Sequence, residues 1–227
     1  MTNFPSEAEP QTNPANSDNS VSQIPETAKK TRLVLASSSP RRRELLASLG
    51  LTFDIIKPDV DEEAFHLDHL LPADVVKFLS RTKAQEVFKH HTDALVIGAD
   101  TIVVLDGQVF GKPKNEADAF RMLNALQGNV HEVYSGITVF NPRESSEFPP
   151  FACDALCTKV SMRPLKPDEI QTYIATGEPM DKAGSYAIQG YGSTLIERID
   201  GCYFNVVGMS LYLLDRLFEQ IGQKLVL

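Results

Sequence analysis

From Arg32 onward, short and dense apolar runs alternate with segments whose apolar residues recur at helical spacing. The runs Leu33–Ala36 and Ala94–Ile97 have the length and composition of buried strands. Helical spacing appears in Leu45, Leu46 and Leu49, and again over residues 73–90. This order is typical of an α/β domain, which the pattern predicts for residues 31–227.

The remaining elements follow from the same periodicities and from turn residues. Asp106-Gly107 between apolar runs predicts a hairpin. The other predicted elements are a strand at Thr52–Ile56, a helix around Ala119–Leu126, strands at Val130–Phe140 and Ala152–Met162, a short helix around Ile170–Ile174, a strand at Thr194–Ile199 and a final helical stripe from Val207 to Ile221.

Residues 1–30 differ in composition from the rest of the chain. They contain four of the fourteen prolines, many Ser, Asn, Gln and Glu residues, and only scattered apolar side chains. Such a segment buries too little apolar surface to offset the entropy of ordering, which predicts a disordered N-terminal tail. It has no arginine and carries several acids, whereas a mitochondrial transit peptide is rich in arginine.

Charge and cysteine content exclude several classes of function. The formal net charge is -8, which opposes general binding to nucleic acid or to an acidic membrane surface. No apolar run approaches the length of a membrane span. Three cysteines are too few for a disulfide scaffold. We therefore expect a cytoplasmic protein with reduced thiols and with neither a nucleic-acid nor a membrane partner.

The segment from Ser37 to Arg43 lies where the first strand is followed by a helix. Ser39 and Pro40 are typical of an N-cap and of the first helical position. The three arginines that follow lie near the positive end of the helix dipole, where an anion would relieve their repulsion. Backbone N–H groups, hydroxyls and guanidinium groups favour a phosphate site. Solvated arginines behind an ordinary serine cap are the alternative.

Asp100 follows an apolar strand and is the leading candidate for a catalytic carboxylate. A carboxylate among apolar strand residues is costly to bury without a cation or a hydrogen-bond donor. A second acidic group follows the strand at Thr52–Ile56 and comprises Asp59, Asp61, Glu62 and Glu63. Carboxylates from two elements can hold a hard divalent cation together with water and substrate phosphate. An ion-paired acid and a solvated acidic loop are the structural alternatives.

Two lysines are candidates for phosphate binding. Lys112 is flanked by Gly111 and Pro113, which restrict the backbone between a hairpin and a helix. Lys83 lies on the apolar side of its helix, where a lysine either binds an anion or extends its ammonium to solvent. A surface lysine in a turn is the alternative for Lys112.

The segment from Glu178 to Gly192 is rich in glycine and in alternating polar residues. It predicts a fitted loop with a short strand, in which an inward Gln189 amide reads a base edge. A plain β-hairpin with an exposed Gln189 is the alternative. The histidines and cysteines have no spacing typical of a zinc site.

Four ordered segments together closely resemble the Maf family of nucleoside triphosphate pyrophosphatases. They are Leu35–Arg42, Gly98–Thr101, Gly111–Pro113 and Asp181–Gly190. The resemblance implies an α/β fold related to inosine triphosphate pyrophosphatases, with a mixed twisted sheet in two lobes around a central cleft. It also implies cleavage between the α- and β-phosphates with a divalent metal, magnesium or manganese, and suggests a homodimer.

The same resemblance implies roles for individual residues. Asp100 and Glu62 correspond to the catalytic carboxylates and metal ligands. The phosphate-contacting positions are Ser37, Arg41, Arg42, Lys83 and Lys112, and the positions linked to base choice are Arg41, Thr101 and Gln189. The Asp181–Gln189 segment is similar to the branch that acts on dTTP and UTP. A pyrophosphatase for 7-methyl-GTP or modified purine nucleotides, and a nucleotide-binding regulator of cell division without turnover, are the alternatives.

Overall fold

The computed structural model describes residues 31–142 and 147–226, and the tail predicted at residues 1–30 lies outside them. The described residues form a seven-stranded sheet. Its strands are β1 (Arg32–Ala36), β2 (Asp54–Ile55), β3 (Ala94–Leu105), β4 (Gln108–Phe110), β5 (Val130–Phe140), β6 (Phe151–Met162) and β7 (Ile196–Asp200). The strand order is β2-β1-β3-β5-β6-β7, with β4 paired to β3. Because β1 is parallel to β2 and β3 while the other pairs are antiparallel, the sheet is mixed, as predicted.

Helices cover this sheet and connect its strands. They are α1 (Pro40–Ser48), α2 (Pro72–Phe88), α3 (Glu116–Leu126), α4 (Pro167–Ala175), α5 (Tyr203–Val207) and α6 (Leu211–Gln220). Short 3₁₀ turns occur at Glu62–Ala64, Glu178–Asp181, Ala183–Ser185 and Gly190–Leu195. None of the described helices combines the length and the hydropathy that crossing a bilayer requires.

Strand β3 has an opening along one of its two edges. Residues 96–104 pair continuously with β5. On the other edge, β1 pairs with residues 94–98 and β4 with residues 103–105. Residues 99–102 therefore have no strand partner on that edge within the described part of the chain. Asp100 lies in this interval, so its backbone is fixed from one side while the other side faces an open space.

Helix α2 packs unusually close to the sheet at two glycines. A Cβ atom on Gly98 would overlap the backbone carbonyl of Ser80, and one on Gly136 would overlap that of Val76. Gly98 and Gly136 lie in β3 and β5, which are neighbouring strands. The absence of a side chain at both positions lets the helix backbone rest directly on the sheet, which brings the buried side chain of Lys83 towards β3.

Two main apolar clusters lie on either side of the cavity described below. One contains Leu46, Ile97 and Leu214, together with other residues of α1, the sheet and α6. The other is built largely from α3, α4 and Phe110. The cavity is lined by Val207 from the first cluster and by Tyr186 from the second. This arrangement agrees with the predicted two lobes around a cleft.

Several predicted elements differ from those observed. The strand predicted at Thr52–Ile56 is reduced to two residues, and the apolar runs on either side of Asp100 form one continuous strand. The terminal stripe is divided into α5 and α6, because Gly208 adopts a φ of 132° and ends α5. The side chain of Ser210 then caps α6 by accepting a hydrogen bond from the N–H of Leu213.

The short strand predicted within residues 178–192 is wrong. This segment contains 3₁₀ turns separated by irregular backbone at residues 186–189, with Gly184, Ser185 and Gly190 at positive φ. Its backbone N–H groups bond within the turns, to the side chains of Glu178 and Tyr173 and to the carbonyl of Gly111, so no strand ladder forms.

Because α2 packs so closely on the sheet, we expect Gly136→Ala to destabilise the protein. We expect the added methyl group to displace the helix backbone and to lower the free energy of unfolding by about 1–3 kcal/mol. Gly111→Ala is the matched control, because a Cβ atom there would have no neighbour within 4 Å. Urea denaturation at pH 7 measures both variants. Equal stability of the two would show that the helix is free to move away from the sheet.

Candidate active site

A cavity of about 820 Å³ opens at the interval in the edge of β3. Its walls come from the turn between β1 and α1, from β3, from the loop between β4 and α3, and from residues 181–189. All of the site residues predicted from the sequence line this one cavity: Ser37, Arg41, Arg42, Glu62, Lys83, Asp100, Thr101, Lys112 and Gln189. The fold thus brings together groups that are separated by more than a hundred residues along the chain.

The ammonium group of Lys83 joins the two predicted carboxylates. Its Nζ lies 2.5 Å from Oδ1 of Asp100 and 2.8 Å from Oε1 of Glu62. The side chains of Lys83 and Asp100 are about nine-tenths buried, whereas that of Glu62 is 49% exposed. Glu62 is carried by a short 3₁₀ turn, and Asp100 by the central strand. The two carboxylates therefore approach one positive charge, one from a 3₁₀ turn and the other from a strand of the sheet.

Arg42 is held in place by three acceptors. Its Nε donates to the carbonyl of Gly208 at 3.0 Å, Nη2 to Oγ1 of Thr101 at 3.0 Å, and Nη1 to Oγ of Ser37 at 3.3 Å. Burial lowers the pKa of the Arg42 guanidinium from its ordinary value, against the opposing charge of Asp100. Arg42 therefore cross-links the Ser37 turn, β3 and the end of α5, and it retains N–H groups for a ligand.

Thr101 belongs to the same network. Its Oγ1 lies 2.8 Å from Oγ of Ser135 and 3.2 Å from the carbonyl of Gly208. Because alternate residues of a strand point to opposite faces, Thr101 faces the α5 side of the sheet while Asp100 faces α2. Thr101, one of the residues implied in base choice, is therefore fixed by neighbours on the sheet face opposite Asp100.

Arg41 and Lys112 are two accessible cations of the cavity. Arg41 makes a long ion pair of 3.5 Å with Asp181, and its side chain is 25% exposed. Lys112 is exposed and has no ion-pair partner among the described residues. Its loop is anchored by the N–H of Gly184, which donates to the carbonyl of Gly111 at 3.0 Å. Both cations can therefore reach an anion in the cavity without breaking a buried contact.

Residues 32–221 match the sequence profile of the family described as Maf-like protein. The chain belongs to the Maf family. Proteins named dTTP/UTP pyrophosphatase are among its relatives. The one from Moorella thermoacetica is 49% identical over 85% of this chain and 96% of its own length, and the one from Dictyoglomus turgidum is 43% identical over 87% and 100%. A third, from Geobacter sulfurreducens, is 48% identical over 85% and 98%.

A solved structure with partial similarity is that of a nucleoside-triphosphatase, dITP/XTP pyrophosphatase, from Mycobacterium abscessus. The alignment has a TM-score of 0.35 and 15% identity, and it covers 58% of this chain and 72% of that one. The assignment to the Maf family depends on the sequence match alone.

The carboxylates of this Maf-family cavity suit a hard divalent cation only when a bound phosphate supplies further oxygen ligands. No group of three or more His, Cys, Asp or Glu side chains within residues 31–142 and 147–226 is arranged to hold a metal. Glu62 and Asp100 supply two carboxylates whose oxygens approach one positive charge. Magnesium is commonly bound by one or two carboxylates together with substrate phosphates and water. The donor set fits that mode of binding.

The cavity also contains functional groups that sequence reasoning missed. Lys57, Lys182 and Tyr186 line it. Lys57 precedes Pro58 directly after β2, the same Lys-Pro pattern that singled out Lys112, and this repetition could have revealed it. Lys182 is held by the carbonyl of Glu178 at 2.6 Å and by Asp181, so it stabilises the segment that carries it.

Tyr186 is fixed by a buried histidine behind the cavity wall. Its hydroxyl lies 2.7 Å from Nε2 of His131, and both side chains are buried. Nδ1 of His131 has no hydrogen-bond partner within the described part of the chain. Burial lowers the pKa of His131 to about 4, so the ring is neutral at pH 7.

This histidine predicts a loss of stability at acidic pH. The folded-state pKa lies below the ordinary value of 6.5, so the unfolded chain binds more protons between these two values. The neutral His131 ring makes its full contribution to the free energy of unfolding above pH 6.5. About 3 kcal/mol of this free energy is lost as the pH falls from 6.5 to 4. His131→Phe should flatten the dependence of unfolding free energy on pH in this range. His90→Phe, which replaces an exposed histidine, is the control and should keep the wild-type slope.

Proposed function

We propose that this Maf-family protein hydrolyses dTTP and UTP to the nucleoside monophosphate and pyrophosphate, using a divalent metal, magnesium or manganese. One observation carries the proposal: two carboxylates and a buried lysine meet in a cavity whose remaining walls carry several cations. The names of the relatives support the choice of substrate. A role in removing unwanted nucleotides and a cytoplasmic location remain predictions.

The cations and the Ser37 turn account for binding of the triphosphate. Arg41 and Lys112 supply accessible positive charge, while Arg42 adds a guanidinium whose orientation is already fixed. Ser37 and the backbone at the start of α1 add hydrogen-bond donors at the positive end of a helix. Because these groups come from separate elements, they surround the phosphate chain from several sides.

The carboxylates account for the chemistry. Oδ1 of Asp100 is bonded to Lys83, which leaves Oδ2 to accept the proton of a water that attacks the α-phosphorus. Lys83 keeps Asp100 and Glu62 in position by binding both. Glu62 and Asp100 would hold the metal, which when bound supplies charge stabilisation at the phosphate oxygens. Most of the acceleration then arises from groups that are already oriented before the reaction.

The wall at residues 186–189 accounts for the base. Gln189 lines the mouth of the cavity, where its amide offers both a donor and an acceptor. Uracil and thymine present the same hydrogen-bonding edge and differ by one methyl group, which changes affinity in a pocket by only about 1–3 kcal/mol. One pocket can therefore accept both dTTP and UTP.

A nucleotide panel tests the substrate class. We expect pyrophosphate release from dTTP and UTP in magnesium or manganese, with slower release from 7-methyl-GTP. The panel also includes CTP and modified uridine triphosphates. In ¹⁸O-labelled water, attack at the α-phosphorus places the label in the monophosphate. Label found only in pyrophosphate would contradict this site of attack, and tight binding without pyrophosphate release would indicate a regulator rather than an enzyme.

Asp100→Asn tests the role of the carboxylate. The amide keeps the shape of the side chain but cannot accept the proton, so we expect kcat to fall by about 10³-fold or more while dTTP still binds. Asp54→Asn is the control, since Asp54 is an exposed partner of Arg32 at the edge of the sheet. Pyrophosphate release and isothermal titration measure the two effects. Turnover of Asp100→Asn close to that of the control would remove Asp100 from the mechanism.

A further inference from the structure

The carboxylate of Glu178 lies behind the cavity wall and does not line the cavity. Its Oε1 accepts hydrogen bonds from the hydroxyl of Tyr173 at 2.8 Å and from the N–H of Gly192 at 2.9 Å. Its Oε2 accepts one from the N–H of Tyr191 at 3.0 Å. The half-buried carboxylate of Glu178 thus accepts three hydrogen bonds, two from the backbone at residues 191–192 and one from Tyr173 of helix α4.

Tyr173 extends this contact to the other side of Gln189. Its ring is 5% exposed, and its hydroxyl accepts a hydrogen bond from the N–H of Ala187 at 3.1 Å. Glu178 and Tyr173 therefore bind backbone N–H groups on both sides of residues 188–190. The side chain of Gln189 projects from a stretch of backbone whose two ends are held by the same hydrogen-bonded pair.

The backbone has a shape that fits this pair closely. Gly190 adopts a φ of 64°, and a Cβ atom there would overlap Oε2 of Glu178. Glu178 itself is fixed, because its carbonyl accepts a hydrogen bond from Nζ of Lys182 at 2.6 Å and its N–H donates to Oγ1 of Thr176 at 3.1 Å. The carboxylate of Glu178 is therefore held in a fixed position. Only glycine at position 190 lets the backbone approach this carboxylate so closely.

The protonation states of Glu178 and Tyr173 match the hydrogen bonds that they make. Burial alone would raise the pKa of the Glu178 carboxyl, but the donors at Gly192, Tyr173 and Tyr191 outweigh it and hold the pKa below its ordinary value. Burial and the neighbouring Glu178 raise the pKa of Tyr173. At neutral pH the carboxylate is charged and the phenol keeps its proton, so the first accepts and the second donates.

We propose that Glu178 and Tyr173 are a positioning pair that holds residues 187–192 in the conformation in which Gln189 receives the pyrimidine base. The proposal rests on the proposed function for its ligand. It assigns no direct contact with the nucleotide to either residue. The pair acts on the base end of the cavity, while the carboxylates and cations at the phosphate end are carried by other elements.

Glu178→Gln and Tyr173→Phe test the pair. A Gln amide offers only one acceptor oxygen, so its NH₂ group would face the N–H of Tyr191. Phe leaves the buried N–H of Ala187 without an acceptor. We expect either variant to raise KM for UTP about tenfold, the loss expected of one hydrogen bond to a charged group, with kcat little changed. Inorganic triphosphate, which has no base, should inhibit both variants as strongly as it inhibits the wild type.

Glu169→Gln is the matched control, on the helix that carries Tyr173. Glu169 accepts hydrogen bonds from Arg163 at 2.8 Å and from the N–H of Lys166 at 2.8 Å, and it does not line the cavity. We expect this variant to keep the wild-type KM for UTP, even where its melting temperature falls. A rise in KM for UTP in Glu169→Gln as large as in Glu178→Gln would overturn the proposal, as would weaker inhibition by inorganic triphosphate in the Glu178 variant.

Amide hydrogen exchange gives a readout that does not depend on turnover. The N–H groups of Ala187, Tyr191 and Gly192 should exchange faster in Glu178→Gln than in wild type or in Glu169→Gln. Unchanged exchange at these amides would overturn the positioning role whatever the activity. Absence of pyrophosphate release from every nucleotide in the wild-type protein would instead refute the proposed function, and with it the assignment of a base to this wall.

Discussion

The ion pair between Lys83 and Asp100 is the contact on which the site depends. A buried charge is tolerated only when it is paired and hydrogen-bonded, and here each partner supplies what the other needs. The pair forms because α2 rests on Gly98 and Gly136 without intervening side chains. A methyl group at either glycine would move the helix outward and carry the ammonium with it. The packing of the helix on two glycines therefore also fixes the position of the Lys83–Asp100 ion pair.

The opening in the edge of β3 has an equally direct effect. A strand paired on both sides over its whole length would leave no space beside Asp100. Since β1 ends at Ala36 and the pairing of β3 with β4 extends no further than Val103, the chain leaves β1 into the Ser37 turn at the place where that space begins. The lengths of the strands thus make the Ser37 turn and the carboxylate of Asp100 neighbours in the cavity.

The sequence indicated which residues share one cavity better than it predicted the shape of the loop that carries Gln189. Ser37 and Lys112 lie just beyond the ends of β1 and β4, and Asp100 lies within β3. The positions of these strands follow from apolar periodicity and from glycine and proline. Residues 178–192 adopt 3₁₀ turns because Tyr173, Glu178 and Gly111 bind their backbone. Hydrogen bonds between distant residues leave no periodic signal, so a strand was predicted instead. The division of the last helix at Gly208 was missed because the apolar stripe continues across it.

The carbonyl of Gly208 accepts hydrogen bonds from both Arg42 and Thr101, although it lies 166 residues beyond Arg42. A nascent chain that stops short of this glycine already contains every group proposed here to act on a nucleotide. Its guanidinium at position 42 nevertheless lacks the acceptor that orients it. The orientation of Arg42 therefore depends on a segment that contributes no reactive group of its own.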